Sequence, residues 1–171
     1  RSHDAINVNW APNEAFTLRG FIAYNQSGST TTPTLNVNFP KGQYFSGGQP
    51  YQHLEALHAH YHIAPTQQLS FLFANLGYKV DAAKANNMQT FGAHYAGKSD
   101  EVTYGATAYL QTGENAADVS KSAYMFALNA GYRFSPIFAL TAGLDYLSGN
   151  ASDDTSGKDK AFNPFSGTNH K

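Results

Sequence analysis

The sequence predicts an all-β fold: an antiparallel up-and-down transmembrane β-barrel, of which this chain supplies about seven strands of a larger barrel. Three observations predict it. The chain is poor in charge and rich in aromatic residues, it contains runs of about ten residues in which polar and apolar side chains alternate, and short and long links alternate between these runs. We therefore interpret residues 1–171 as a single barrel segment.

The composition favours a barrel wall. Only 13% of the residues are charged, against roughly 25% in a typical soluble domain. Aromatic residues make up 14% of the chain, yet no stretch approaches the roughly 18 apolar residues of a transmembrane helix. A barrel wall combines these properties because lipid-facing and lumen-facing residues alternate along each strand. A soluble all-β domain with tyrosine-rich strands is the alternative that composition alone leaves open.

Charge and cysteine content exclude several functions. The formal net charge of -1 offers no basic surface for nucleic acid, so no nucleic-acid partner is expected. With no cysteine, the chain has no thiolate metal site, disulfide or cysteine nucleophile. The first residues lack the pattern of a signal peptide, which suggests a removed signal or an internal fragment.

Alternation defines seven predicted strands. Residues 69–78 are apolar on both faces, so the sequence does not assign the facing of that run. All seven prolines fall outside the runs, as strand ladders require. The runs span residues 15–25, 57–63, 69–78, 90–95, 102–111, 124–134 and 138–146.

Link lengths separate a barrel from a β-sandwich. Transmembrane barrels have short periplasmic turns and longer extracellular loops, whereas a sandwich has no reason to segregate its loops in this way. Bacterial single-chain barrels have an even number of strands, eight or more, so seven strands require others from elsewhere. The short links are 64–67, 97–101 and 135–137, and the long ones are 26–52, 79–87, 112–121 and 148–171.

Aromatic residues near the strand ends suggest the girdles that flank a bilayer. Tyrosine is also a good strand former anywhere, which is the plainer explanation. The predicted girdle consists of Tyr24, Tyr61, Tyr78, Tyr95, Tyr104, Tyr124, Tyr132, Phe134, Phe138 and Tyr146.

Polar residues that alternate with the apolar ones are predicted to face the lumen and the solute. Arg19 and Arg133 either attract anionic solutes at a narrow lumen or pair with Asp145 or other lumen carboxylates. The predicted lumen residues are Arg19, His58, His60, His62, His94, Asn129, Arg133 and Asp145.

The three alternating histidines 58, 60 and 62 share one face of their strand. Side chains at such positions lie roughly 6–7 Å apart, too far for three to converge on one metal ion. Two could share a metal with help from His94 on another strand, but we expect polar lumen residues and no metal site. In the last loop, Asn150, Asp153, Asp154 and Asp159 match no defined calcium loop, and a solvated acidic loop is expected.

No motif indicates catalysis. The chain has no Gly-x-Ser-x-Gly elbow, phosphate loop or HExxH sequence. We therefore predict no enzyme activity, no catalytic residue and no cofactor. The stretch 36–52, with aromatic residues among Gly and Pro, either folds inward as a constriction or forms an ordinary surface loop.

The ends of the chain carry a resemblance. Leu144-Asp145-Tyr146-Leu147-Ser148-Gly149-Asn150, the closing stretch 160–171 and the opening Arg1-x-His3-Asp4 resemble the alginate export family of Bacteroidetes. The resemblance implies an outer-membrane barrel that exports a polysaccharide or passes another hydrophilic solute through a loop-gated lumen. In the alginate exporter the constriction is cationic, whereas here only two arginines are predicted to face the lumen.

The predicted function is therefore a porin-like channel in the bacterial outer membrane, in contact with the lipid bilayer and lipopolysaccharide. Two alternatives remain: a barrel that scaffolds a surface complex without conducting, and a soluble β-sandwich that binds carbohydrate. The sequence predicts neither the solute nor the oligomeric state.

Overall fold

The computed structural model describes residues 4–24, 52–79 and 84–164. These residues form β-strands and connecting segments without a helix, so the described part of the chain contains none long and apolar enough to cross a membrane. The all-β prediction is confirmed. The strands are β1 (Asp4–Asn13), β2 (Phe16–Tyr24), β3 (His53–Ala64), β4 (Gln67–Lys79), β5 (Ala85–Ser99), β6 (Val102–Glu114), β7 (Ser120–Ser135) and β8 (Phe138–Leu147).

All eight strands belong to one antiparallel sheet in sequence order, so the predicted up-and-down topology is also confirmed. Within the described residues the sheet is not closed, and β1 and β8 are its edges. Strands β1 and β2 meet at a tight turn, in which the Asn13 Oδ1 accepts hydrogen bonds from the N–H groups of Ala15 and Phe16 at 3.0 and 2.9 Å. Equally tight turns join β3 to β4, β5 to β6 and β7 to β8.

The strands extend further than the alternation predicted. Strands β4 to β7 run for 13 to 16 residues, so the link between β6 and β7 shortens to 115–119. At most residues 80–84 lie between β4 and β5, and of these the structure describes only Lys84. The sequence therefore overestimated these two links, although they remain longer than the turns at the other end of the sheet. The predicted long link 26–52 lies outside the described residues except for Gln52.

Strand β1 was missed, and the seven predicted strands correspond to β2 to β8. The rule that placed every proline outside the strands is wrong at Pro12, which lies in β1. An edge strand tolerates proline because a missing N–H need not break the ladder there. The register between β1 and β2 also shifts between Trp10 and Asn13, beside this proline.

The register gives the sheet one continuous apolar face. In β4 it places Leu69 and Phe71 opposite Tyr95 and Ala93 of β5, which assigns the facing that the sequence left open. Large side chains on this face are exposed, as Leu128 at 52% and Leu140 at 60% illustrate. The apolar face includes Ile6, Val8, Trp10, Leu18, Ile22, Leu57, Phe73, Phe91, Leu110, Phe126, Leu128, Leu140 and Leu144.

The other side of the sheet, which we call the opposite face, is not uniformly polar. Near the long-link ends of β2 to β5 it carries a buried apolar cluster of Ala23, Leu54, Ala74, Leu76, Tyr78 and Met88. The girdle prediction is therefore wrong for Tyr78, which is 7% exposed and pairs with Asn86 in the ladder. The error arose because β4 is apolar on both faces, so alternation could not show which face the last residues of the strand lie on.

The other nine residues of the predicted girdle share the parity of the apolar face. Several of these rings contact one another on β7 and β8. Tyr132 and Phe134 lie 4.7 Å apart between ring centroids, Phe134 and Phe138 lie 5.4 Å apart, and Tyr124 stacks on Tyr146 at 5.9 Å.

Gly113 lies near the end of β6 that leads into the link 115–119, and a substitution there tests the register between β5 and β6. Its φ of 95° lies in the region that side chains disfavour, and a Cβ atom there would overlap the backbone oxygen of Asn87 in β5. Gly113→Ala is expected to lower the free energy of unfolding by about 1–3 kcal/mol. Gly149→Ala is the control, because a Cβ atom at Gly149 meets nothing within 4 Å. Urea unfolding followed by circular dichroism measures both, and equal effects would contradict the register at Gly113.

Candidate functional site

The opposite face is the candidate site, because the register places all eight predicted lumen residues on it. Arg19 pairs with His58 across β2 and β3, and His60 pairs with Ser70 across β3 and β4. Asn129 and Asp145 lie on the same face of β7 and β8. The alternation therefore identified residues that share a face, although the sheet spreads them over five strands, β2, β3, β5, β7 and β8.

One row of the ladder crosses the opposite face and carries a chain of polar side chains. The Nδ1 of His60 lies 2.9 Å from the Ser70 Oγ, and the Nδ1 of His94 lies 2.8 Å from the Thr107 Oγ1. The same row continues through Ala127 to Asp145 on β8. Each of these histidines thus has a hydroxyl partner on the next strand, which fixes the plane of its ring.

The two arginines do not pair with the predicted carboxylate. Arg133 lies opposite Ala139 and Asp145 lies opposite Ala127, which separates them by about 20 Å along the strands. Among the residues that the structure describes, Arg19, Arg133 and Asp145 form no ion pair. Pairing of the arginines with Asp145 is therefore wrong, whereas their pairing with other lumen carboxylates stays a prediction.

The histidines of β3 are unevenly spaced. The rings of His58 and His60 stack with centroids 6.5 Å apart, as the strand repeat predicts. The rings of His60 and His62 approach to 4.6 Å, and their Nε2 atoms lie 3.2 Å apart. His94 lies two strands from His60, roughly 10 Å away, and does not join them. In the described ranges no cluster of three or more potential ligands could hold a metal ion.

The segment that follows β8, residues 148–164, folds back over the opposite face. Asp159 bridges to Lys121 in parallel, with its N–H donating to the Ser120 oxygen and its carbonyl accepting from the Ser122 N–H, both at 2.9 Å. The Lys121 ammonium donates to the Asp159 carboxylate at 2.9 Å and to the carbonyl oxygen of Ala161. Only 2% of the Lys121 side chain is exposed, so this ion pair is largely shielded from solvent and holds the segment against the sheet.

Beyond Asp159 the segment packs on the middle strands. The Gln111 side chain donates to the Asn163 oxygen at 2.7 Å and accepts from the Asn163 N–H at 2.9 Å. The Phe162 ring lies 6.3 Å from the Tyr109 ring. A cavity of about 260 Å³ remains between the segment and the sheet. Its lining residues are Leu72, Thr90, Tyr109, Gln111, Met125, Phe162 and Pro164.

The predicted solvated acidic loop is therefore partly an internal segment. Asp159 pairs with Lys121, and Asp154 pairs with Lys160 at 2.9 Å. Inward folding was considered for residues 36–52, which lie outside the described residues except for Gln52; the structure instead places residues 159–164 against the opposite face of the sheet. Residues 165–171, the end of the predicted loop, also lie outside the described part.

Lys121 and Gln111 are site residues that the sequence analysis missed. Lys121 was assigned to the link 112–121, although it shares parity with Ala123, Met125 and Asn129 of β7. That parity was the available signal. Gln111 belonged to a predicted strand, but nothing in the sequence indicated that its amide would bind a segment fifty residues away.

Two carboxyl groups of the segment are held in their ionised form. Burial opposes ionisation of Asp159, but hydrogen bonds from Asn115, Lys121 and the Ala161 N–H outweigh it and lower its pKa. Hydrogen bonds from Ser156, and the nearby Lys160, lower the pKa of Asp154 to about 2. Because these pKa values fall on folding, their contribution to stability is complete above the unfolded value of about 3.9 and is lost as the pH falls through the folded values.

Comparison of the chain with protein-family models, with curated proteins and with solved structures found no match.

Asp159→Asn is expected to loosen the inward-folded segment, since it removes the counter-charge of the buried Lys121 ammonium. Amide hydrogen exchange at Phe162 and Asn163 should accelerate by about tenfold or more, as the loss of a partly buried charge partner costs more than 1 kcal/mol. Asp153→Asn is the control, because Asp153 is exposed and makes no described contact. Unchanged exchange in Asp159→Asn would show that the ion pair does not hold the segment.

Proposed function

We propose that this chain forms part of the wall of a bacterial outer-membrane β-barrel and that a hydrophilic solute passes along its opposite face. One observation carries the proposal: large exposed apolar side chains cover a single face of all eight strands. Monomeric soluble proteins rarely expose contiguous apolar patches larger than a few hundred Å². A lipid bilayer is the environment in which such a face lowers the free energy of the folded state.

The height of the apolar face supports a bilayer as its surroundings. In β7 the apolar stretch runs from Tyr124 to Phe134. The ten steps between these two residues correspond to about 34 Å along a strand and to about 24 Å along the membrane normal at a tilt of about 45°. That distance is close to the apolar band of outer-membrane barrels.

A cluster of polar side chains borders the apolar face at the strand ends that lead into the long links. The Glu55 carboxylate interacts with the His53 Nδ1 and accepts from the Asn75 Nδ2, both at 2.8 Å. The Gln89 Nε2 donates to the Asn75 Oδ1 at 2.9 Å. Because these side chains satisfy one another and share the face of Leu57 and Phe73, they fit the headgroup level, where we expect contact with lipopolysaccharide.

A bilayer also requires partners for the two edges of the sheet. An open edge in hydrocarbon would leave backbone N–H and C=O groups unpaired, at a cost of several kcal/mol each. The proposal therefore includes pairing of β1 and β8, with each other or with further strands. Eight strands are the smallest count for a bacterial barrel, and the resemblance to the alginate export family implies a larger one.

The opposite face suits a neutral hydrophilic solute, such as a polysaccharide. It offers imidazole, hydroxyl and amide groups together with Arg19, Lys98, Arg133 and Asp145. Three such cations, on β2, β5 and β7, are few for a polyanion, so we keep the alginate-export-like architecture and leave alginate itself out. We assign no catalytic role.

A non-conducting barrel that scaffolds a surface complex is the second candidate. The inward-folded segment favours it, since residues 159–164 occupy part of the face along which a solute would move.

A pair of adjacent substitutions tests which face meets lipid. Leu128→Arg, on the apolar face near the middle of β7, is expected to lower the free energy of unfolding from lipid vesicles by about 2–4 kcal/mol. Asn129→Arg places the same side chain on the opposite face and is expected to cost far less. Urea titration of vesicle-folded protein measures both, and equal costs would contradict the assigned facing.

Conductance tests transport. The protein reconstituted into a planar bilayer is expected to give discrete current steps that neutral oligosaccharides reduce. Heat-modified migration of the same preparation on gels verifies that the barrel is folded. A folded barrel without current at any applied voltage would reject the channel and favour the scaffold.

A further inference from the structure

We propose that His60 and His62 form a two-histidine chelate for a divalent transition-metal ion on the opposite face of the sheet. Three observations support the chelate: the distance between the two Nε2 atoms, the hydrogen bond between His60 and Ser70, and the cavity beside His62. The chelate does not depend on the proposed transport function.

The distance fits chelation. The Nε2 atoms of His60 and His62 lie 3.2 Å apart. Two nitrogen ligands, each about 2.0–2.1 Å from one metal ion in tetrahedral or octahedral geometry, are separated by about 2.9–3.4 Å. The rings lean toward each other, with centroids 4.6 Å apart and planes at 81°. His58, two residues earlier, keeps a centroid separation of 6.5 Å from His60 and stays outside this pair.

Ser70 supplies the support that a metal-binding histidine usually has. The His60 Nδ1 lies 2.9 Å from the Ser70 Oγ on β4. When Nδ1 donates its proton to this oxygen, the lone pair of the ring is on Nε2, the atom that faces His62. Ligating histidines commonly donate the other ring N–H to an oxygen in this way, which fixes both the tautomer and the ring orientation.

A cavity of about 310 Å³ adjoins His62. It is lined by His62, Pro65, Thr66, Gln67, Gln68, Ala96, Gly97, Lys98 and Thr103. Several water molecules fit in this volume and can fill the remaining coordination positions. The Lys98 side chain lines the same cavity, so an anionic third ligand, such as chloride or a carboxylate, balances the local charge.

Cu²⁺ is the appropriate probe, because it binds nitrogen ligands more strongly than the other divalent first-row ions. We expect the purified folded protein, stripped of metal, to bind Cu²⁺ with a paramagnetic resonance spectrum that shows two equivalent nitrogen ligands. His60→Gln and His62→Gln should each weaken this binding by about tenfold or more, because loss of even an outer partner of a ligand costs that much.

His94→Gln is the matched control. His94 is a histidine on the same face with a hydroxyl partner of its own, Thr107, but it lies two strands away from His60. It should leave the two-nitrogen spectrum unchanged. Circular dichroism verifies the fold of each variant, and His62→Gln decides the outcome if His60→Gln does not fold, since the exposed His62 side chain can be replaced without creating a cavity.

The chelate is rejected if the spectrum shows a single nitrogen ligand, or if Cu²⁺ affinity in His62→Gln equals that of the unmodified chain. In that case the 3.2 Å contact is an ordinary hydrogen bond between two neutral imidazoles. Neither result affects the conductance experiment, so failure of the chelate and failure of the channel are distinguishable.

Discussion

The fold depends on the phase of the backbone ladder. Side chains alternate between the two faces of a strand, so a slip of one residue in any pairing would move a whole strand's apolar residues to the other face. Seven successive pairings keep that phase from β1 to β8. Leu128, for example, lies between Ala106 and Leu144, while its neighbour Asn129 lies between Gly105 and Gly143. The apolar face exists only because these registers agree.

The sequence predicted what local alternation controls. Strands β6, β7 and β8 were recognised because Tyr124, Phe126 and Leu128 and their counterparts repeat every second residue. Strand β1 was missed although Ile6, Val8 and Trp10 alternate with Asn7 and Asn9. Its Pro12 lies where the register with β2 shifts, between Trp10 and Asn13, and a strand tolerates proline at such an irregularity. Tyr78 was assigned to the girdle although apolar residues occupy both faces of β4, so that the pairing with β5 decides its orientation.

The site was less predictable than the fold, because its contacts join residues that are distant along the chain. Alternation placed His58, His60 and His62 on one face, but the approach of two of them depends on their ring rotations and on Ser70 of the next strand. The return of Asp159 to Lys121 and of Asn163 to Gln111 depends on how the last segment folds, which no local pattern encodes. Sequence periodicity therefore predicts the strands and their two faces, whereas the contacts made on the opposite face depend on the tertiary structure.

The two faces impose different physical requirements. On the apolar face the side chains make few internal contacts, so their burial must come from the surroundings. On the opposite face buried polar groups such as Gln111 and Lys121 are satisfied within the chain, by the segment that packs over them. This asymmetry explains why we assign lipid to the first face and a hydrated path, narrowed by residues 159–164, to the second.

The central claim, that hydrocarbon covers the apolar face, is tested most directly by nitroxide scanning of β7 in lipid vesicles. The chain contains no cysteine, so single cysteines introduced from residue 124 to 134 can be labelled one at a time. Hydrocarbon on the apolar face predicts a two-residue period, with labels at positions 126, 128 and 130 relaxed by oxygen and those at positions 127 and 129 by a water-soluble nickel chelate. Absence of the period, or its reversal, would contradict the account.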